Sequence, residues 1–344
     1  MNSWVKNILK TGGLLLLVFS GWYFFAKDPP LPIKVEGHTM GTSYHITYFD
    51  ARGRNFKAEI DSILEVINHS INTYDSLSEV SKFNQGKRGI VLTGPHLRAP
   101  LAVAREVFTL SKGAFDLTVM PLVNSWGFGY RDAEKLSQGQ IDSIKTFIGL
   151  EKILVQGDSL IKTDPRVQLD FGGIGQGYGA DVLWDFFKSK GIQDILIELG
   201  GEGMAMGKNL TTGQPWTIGI LDPQSTYDEQ FYKLVITLKD RAFTTSGNYF
   251  NYREVDGKKY SHTIDPFTGY PAERAILSAS IFSTDATTAD AWGTTCMVLG
   301  HEKAIQLLEQ FPGIDAILMY TEEDGGIQTY ITPGIKNSVK MVSE

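Results

Sequence analysis

A chain of 344 residues with 42% hydrophobic and 21% charged residues carries enough apolar material for one large core or two modest ones. Its net charge of −7, with no basic stripe beyond the N-terminus, argues against nucleic acid as a partner. One cysteine, Cys296, excludes an intramolecular disulfide and a thiolate metal cluster, and its helical surroundings read as a small core position.

Residues 1–30 differ from the rest. Lys6 and Lys10 precede an apolar run from Gly12 to Ala26, which Lys27-Asp28-Pro29-Pro30 closes, the pattern of an export segment. Counted from Ile8 the run can cross a bilayer, with Trp22 and Tyr23 near the outer interface. No A-x-A site stands out, which favours an uncleaved transmembrane anchor over a cleaved signal peptide. Either way, residues 31–344 are expected outside the cytoplasm.

The body opens with a strand at His45 to Phe49, preceded by a Met40-Gly41-Thr42 turn. Phe56, Ile60, Ile63, Leu64, Ile67 and Ile71 then fall at helical spacing. A polar segment around a lone Tyr74 leads to a helix at Leu101 to Lys112, stopped by Gly113, and to a loop-like stretch from Gly113 to Gly129. A hairpin turning at Gly157-Asp158 precedes a strand at Val167 to Phe171, a glycine turn, a helix to Lys190 and a strand at Ile195 to Leu199. Further strands are expected at Trp216 to Leu221 and Leu234 to Leu238, with a hairpin at Asp256-Gly257 and a strand at Ile276 to Ser283. Helices at Thr287 to Leu299 and near 302–310 precede strands at 315–320 and 327–332. There is no regular βαβ alternation, internal repeat or linker after Pro32, so residues 31–344 read as one α+β domain of mixed sheets and helices.

Three segments carry chemistry. The first, Leu169 to Asp181, holds five glycines: Gly172, Gly173, Gly175, Gly177 and Gly179. A strand–glycine–helix junction lets backbone N–H groups and the helix dipole meet a phosphate, and it equally suits a tight turn packed on its own strand. Its spacing is neither a dinucleotide fingerprint nor a P-loop. The second is the helix after Ser283, where Asp290 and Thr294 share a face and Asp285 lies about one turn earlier. Those oxygens suit Mg²⁺ shared with a phosphate, while Asp285 or Thr287 could instead cap the helix. In the third, Thr244 to Pro271, His262 is a candidate general base beside Asp265, whereas His38 and His45 lack similar polar company.

Eight segments in order, HTMGTSYHITY, INTYDSLSEVSKFN, GAFDLTVMPLVNSWGFG, LDFGGIGQGYGAD, LIELGGEG, TTSGNYF, HTIDPFTGYP and ATTADAWGTT, resemble the FAD:protein FMN transferase (ApbE) family over nearly the whole body. The resemblance implies an ApbE-like, T-fold-related core and transfer of FMN from FAD, through a phosphoester, onto a Thr or Ser of an acceptor flavoprotein, with release of AMP. It implies FAD contacts at Met40, Tyr74, Ala114, Phe115, Asp116, Asp170 and Ile264, and a Mg²⁺ site at the Gly173 carbonyl, Asp290 and Thr294. His262 is then the candidate base for the acceptor hydroxyl, with Asp290 also catalytic through the metal. Two positions depart from the family pattern. Gln176 stands where a Lys is usual, leaving a neutral side chain to hydrogen-bond phosphate or adenine, and Gly293 stands where some members carry another carboxylate. The implied acceptors are subunits of membrane redox complexes of the NADH:quinone reductase or Rnf type, on the periplasmic side of the inner membrane. An FAD pyrophosphatase releasing FMN and AMP, or an exported FAD-binding protein without chemistry, are the alternatives.

Overall fold

The computed structural model describes residues 30–342 except 135, 227, 248–251, 256–257, 273–274 and 323. The expected anchor or signal segment lies outside the described residues, among which no helix is long and apolar enough to cross a membrane.

Eight antiparallel strands form the central sheet, and their order in the sheet is their order in the chain. These are β1 (Pro32–Thr39), β2 (Thr42–Phe49), β3 (Ile195–Leu199), β4 (Glu202–Met206), β5 (Arg241–Gly247), β6 (Ile276–Ser283), β7 (Asp315–Thr321) and β8 (Ile327–Ile331). The β1–β2 turn has φ of 49° at Met40 and 76° at Gly41, the doubly positive backbone that matches the right-handed twist of a tight hairpin. Strand β2 alternates, burying Tyr44, Ile46 and Tyr48 on one face.

Helices cover one face of the sheet. α1 (Lys57–Ile71) buries Ile60, Leu64, Ile67 and Ile71, as its spacing predicts. α2 (Gly175–Ser189) and α3 (Ala286–Leu299) pack on the sheet and on each other. A three-stranded sheet of Trp216–Leu221, Tyr232–Leu238 and Val339–Met341 covers part of the other face, around Phe49, Phe243, Phe282, Ile317 and Met319. Strand β7 is therefore buried on both sides: Ala316 and Leu318 face the helices, and Ile317 and Met319 face the small sheet. A third sheet contains the hairpin at Gly157-Asp158, with Gly89–Val91 at its edge.

Several expectations change. Val167 to Phe171 forms no strand: Leu169 is held by the Asn84 side chain, which accepts from its N–H at 2.7 Å and donates to its carbonyl at 2.8 Å. An amide side chain thus replaces a neighbouring strand. The helix expected from Leu101 spans Arg98–Leu110 instead, closed by positive φ at Lys112 and Gly113. The stretch after it is not all loop, since Asp116 caps a 3₁₀ turn at Leu117–Val119 that runs into a helix at Met120–Ser125. Strand β4 was not expected because Glu202, Gly203, Met204 and Ala205 are all buried, which erases alternation. His45 does have polar company, because cross-strand pairing with Glu198 puts Nδ1 2.8 Å from Oε2.

Candidate functional site

The site grows from the contact between α2 and α3. A Cβ on Gly177 would lie 2.2 Å from the Ala286 carbonyl oxygen, so only glycine lets the two backbones meet here. The Gly177 N–H then donates to Asp290 Oδ2 at 3.0 Å. One turn on, Asp181 caps α3 by accepting from the Ala286 and Thr287 N–H groups, each at 2.8 Å, and from the Thr287 hydroxyl. Asp285 is the N-cap residue, accepting from the Thr288 N–H at 2.8 Å, so the capping alternative describes it.

The five glycines divide by task. Gly175, Gly177 and Gly179 sit against Ile71, Ala286 and Leu199, where a side chain would collide. Gly172 and Gly173 line a cavity of about 430 Å³. At Gly173 a Cβ would stand 2.7 Å from Thr294 Oγ1, which brings this backbone against the threonine hydroxyl. No described residue accepts from the N–H groups of Gly173 and Gln176, so both are left for a ligand.

Tyr74, Ala114, Phe115, Asp116, Asp170, Gln176, His262, Ile264, Asp290 and Thr294 all line this cavity. Tyr74 forms its exposed rim, with its hydroxyl donating to the Phe128 carbonyl at 3.0 Å. Ile264 lies on the apolar wall with Met120 and Val123. Met40 is not among the lining residues; it stands in the β1–β2 turn and packs near Gly179. Asp265 shapes the turn after His262, accepting from the N–H groups of Phe267 and Thr268. The lining also includes Glu202, Thr245 and Ser246, which were not singled out. Glu202 stands inside the quoted LIELGGEG segment, between Gly201 and Gly203, where a charged residue set among glycines was the available signal.

The cavity is electrostatically acidic. Burial pushes the Asp116 carboxyl up to about 6 against the pull of Thr118, whose N–H and hydroxyl both donate to it. Burial also raises Asp170, opposed by the Gly172 N–H and the charge of His262. Asp290 is raised by burial, against the Gly177 hydrogen bond, and Glu202 by burial and by Asp290. No described Lys or Arg forms an ion pair with either of these last two acids. An uncompensated carboxylate beside a hydroxyl and a backbone turn is a donor set of hard oxygens, and it fits a divalent cation.

This architecture is that of the ApbE flavin transferases. The flavin transferase ApbE from Vibrio cholerae superposes with a TM-score of 0.80 at 32% identity, covering 90% of this chain and 100% of that one. The apo Pseudomonas stutzeri flavinyl transferase ApbE gives 0.81 at 33% identity, covering 90% and 97%. The profile of the ApbE family matches residues 40–318, and the chain belongs to that family. Among its relatives, the FAD:protein FMN transferase of Vibrio cholerae serotype O1 is 33% identical over 339 residues, 93% of this chain and 96% of the relative. The Escherichia coli K12 protein of the same name is 34% identical over 313 residues, 88% of each chain.

Proposed function

We propose that this protein is an FAD:protein FMN transferase that joins the FMN half of FAD to a Thr or Ser hydroxyl of an acceptor protein. The observation that carries the reading is one cavity lined by two kinds of surface. Tyr74, Phe115 and Ile264 offer ring and aliphatic surface for a planar flavin, and Gly172, Gly173, Gln176, Asp290 and Thr294 offer the backbone and polar groups that a pyrophosphate needs.

The reaction is a phosphoryl transfer. The acceptor oxygen attacks the phosphorus on the FMN side, a P–O bond forms, and the bond to the bridging oxygen breaks with its electron pair leaving on AMP. His262, on the cavity wall, takes the hydroxyl proton; a positioned base of this kind is worth roughly 10² to 10⁴ in rate. The N–H groups of Gly173 and Gln176 orient phosphate oxygens, and the Gln176 amide hydrogen-bonds without adding charge. The Gly173 carbonyl, Thr294 hydroxyl and Asp290 carboxylate would hold Mg²⁺, which neutralises charge on the transferring phosphate. With no lysine at position 176, the chain depends heavily on that cation.

The export-type segment at residues 1–30 supports a membrane-anchored enzyme acting on the periplasmic side of the inner membrane. The acceptors proposed are subunits of redox complexes of the NADH:quinone reductase or Rnf type. The test is product balance: FAD, Mg²⁺ and a threonine-bearing acceptor should yield one AMP per modified acceptor. AMP and free FMN with unmodified acceptor would replace transfer by hydrolysis, and no AMP at all would leave an FAD-binding protein.

A further inference from the structure

A second carboxylate reaches the cavity that Asp290 and Thr294 line, from the sheet. The hairpin through Gly200 and Gly201 pairs Leu199 with Glu202, and Leu199 lies against α2, its Cδ2 2.9 Å from where a Cβ on Gly179 would be. Cross-strand partners share a face of the sheet, so Glu202 points to the helix side. There its Oε1 accepts from the Thr244 hydroxyl at 3.2 Å, and Thr244 and Ser246 of β5 lie directly against Gly293 of α3.

Glu202 is only 9% exposed and lines the same cavity as Asp290 and Thr294. Among the described residues other than Glu202 itself, only Thr244 donates to the Glu202 carboxylate and only Gly177 to that of Asp290. Two buried carboxylates that open on one cavity disfavour each other unless a cation joins them. At Gly293, the α3 position one turn from Asp290, a Cβ would come within 2.6 Å of Ser246 Oγ, so the helix leaves little room for a further ligand.

We propose that Glu202 is the second carboxylate of the cation site, facing Asp290 from β4 and providing the negative charge that α3 lacks at Gly293. This rests on the reading of Gly173, Asp290 and Thr294 as that site. Two carboxylates with hydroxyl and carbonyl oxygens suit a hard divalent ion such as Mg²⁺ or Mn²⁺.

The test uses Mn²⁺ alone, without FAD, titrated into the full chain and followed by the paramagnetic resonance of free Mn²⁺ and by thermal unfolding. Glu202→Gln should weaken Mn²⁺ binding at least tenfold and shrink the metal-induced rise in Tm. Its metal-free Tm should equal or exceed that of the wild type, since Gln keeps the size and the Thr244 contact while removing a buried charge. Glu202→Asp should recover part of the affinity. If Glu202→Gln binds Mn²⁺ as tightly as the wild type while Asp290→Asn does not, the proposal fails and the cation site stands. If the wild type takes up no Mn²⁺, both fail.

Discussion

Replacing Gly177 by alanine places a methyl group 2.2 Å from the Ala286 carbonyl oxygen and 2.8 Å from Asp290 Cβ, so α2 and α3 must separate. Overpacking of this kind costs about 1–3 kcal/mol. Separation also stretches the Gly177 N–H bond to the Asp290 carboxylate, and a hydrogen bond to a charged group is worth about 1.5–3 kcal/mol. The two effects share one displacement, so a combined loss of about 3–5 kcal/mol is expected. At roughly 2 °C per kcal/mol for a chain of this size, Tm should fall by about 6–10 °C in a calorimetric scan. Gly172→Ala is the control: its nearest contact is Asp170 Oδ1 at 3.3 Å, the φ there is not positive, and Tm should change by less than about 2 °C. Catalysis should fall in Gly177→Ala, because Asp290 moves with α3. A Gly177→Ala protein with wild-type Tm would refute the reasoning that this glycine serves helix contact.

Asn84→Ala removes both hydrogen bonds that hold the Leu169 backbone and should cost about 2–4 kcal/mol in denaturant unfolding, with Asn84→Asp restoring only the bond to the N–H. Asp116 has a folded pKa of about 6 against 3.8 unfolded, so the folded state binds more protons between these values and stability falls as pH rises through them. Asp116→Asn should therefore flatten that part of the stability–pH curve, removing a slope worth up to about 3 kcal/mol between pH 4 and 7; an unchanged curve would place the charge elsewhere. His262→Ala should lower the transfer rate by roughly 10² or more with FAD binding little changed. Equal loss of FAD affinity would make His262 a binding residue.

Legibility in the sequence followed periodicity. α1 matched its spacing because it buries a regular set of residues along one face, whereas β6 showed as a continuous strand-like run because it is buried on both faces. The interruption at Val167 to Phe171 was invisible because its partner is the Asn84 side chain, 85 residues away in sequence. The glycine-rich turn looked uniform, yet two of its glycines face the cavity and three serve helix and sheet contacts, a division that depends on what stands opposite. Helical spacing put Asp290 and Thr294 on one face, and both line the cavity. Glu202 was not legible, because its meaning comes from a strand pairing that places it across from a helix nearly ninety residues later.

The most direct test of transferase activity is the intact mass of a threonine-bearing acceptor domain after incubation with the full chain, FAD and Mg²⁺, with Asp290→Ala in parallel. The acceptor should gain the mass of FMN less water with the wild type and stay unmodified with the variant. An unmodified acceptor in both reactions while FAD is split, or equal modification by Asp290→Ala, would contradict the account.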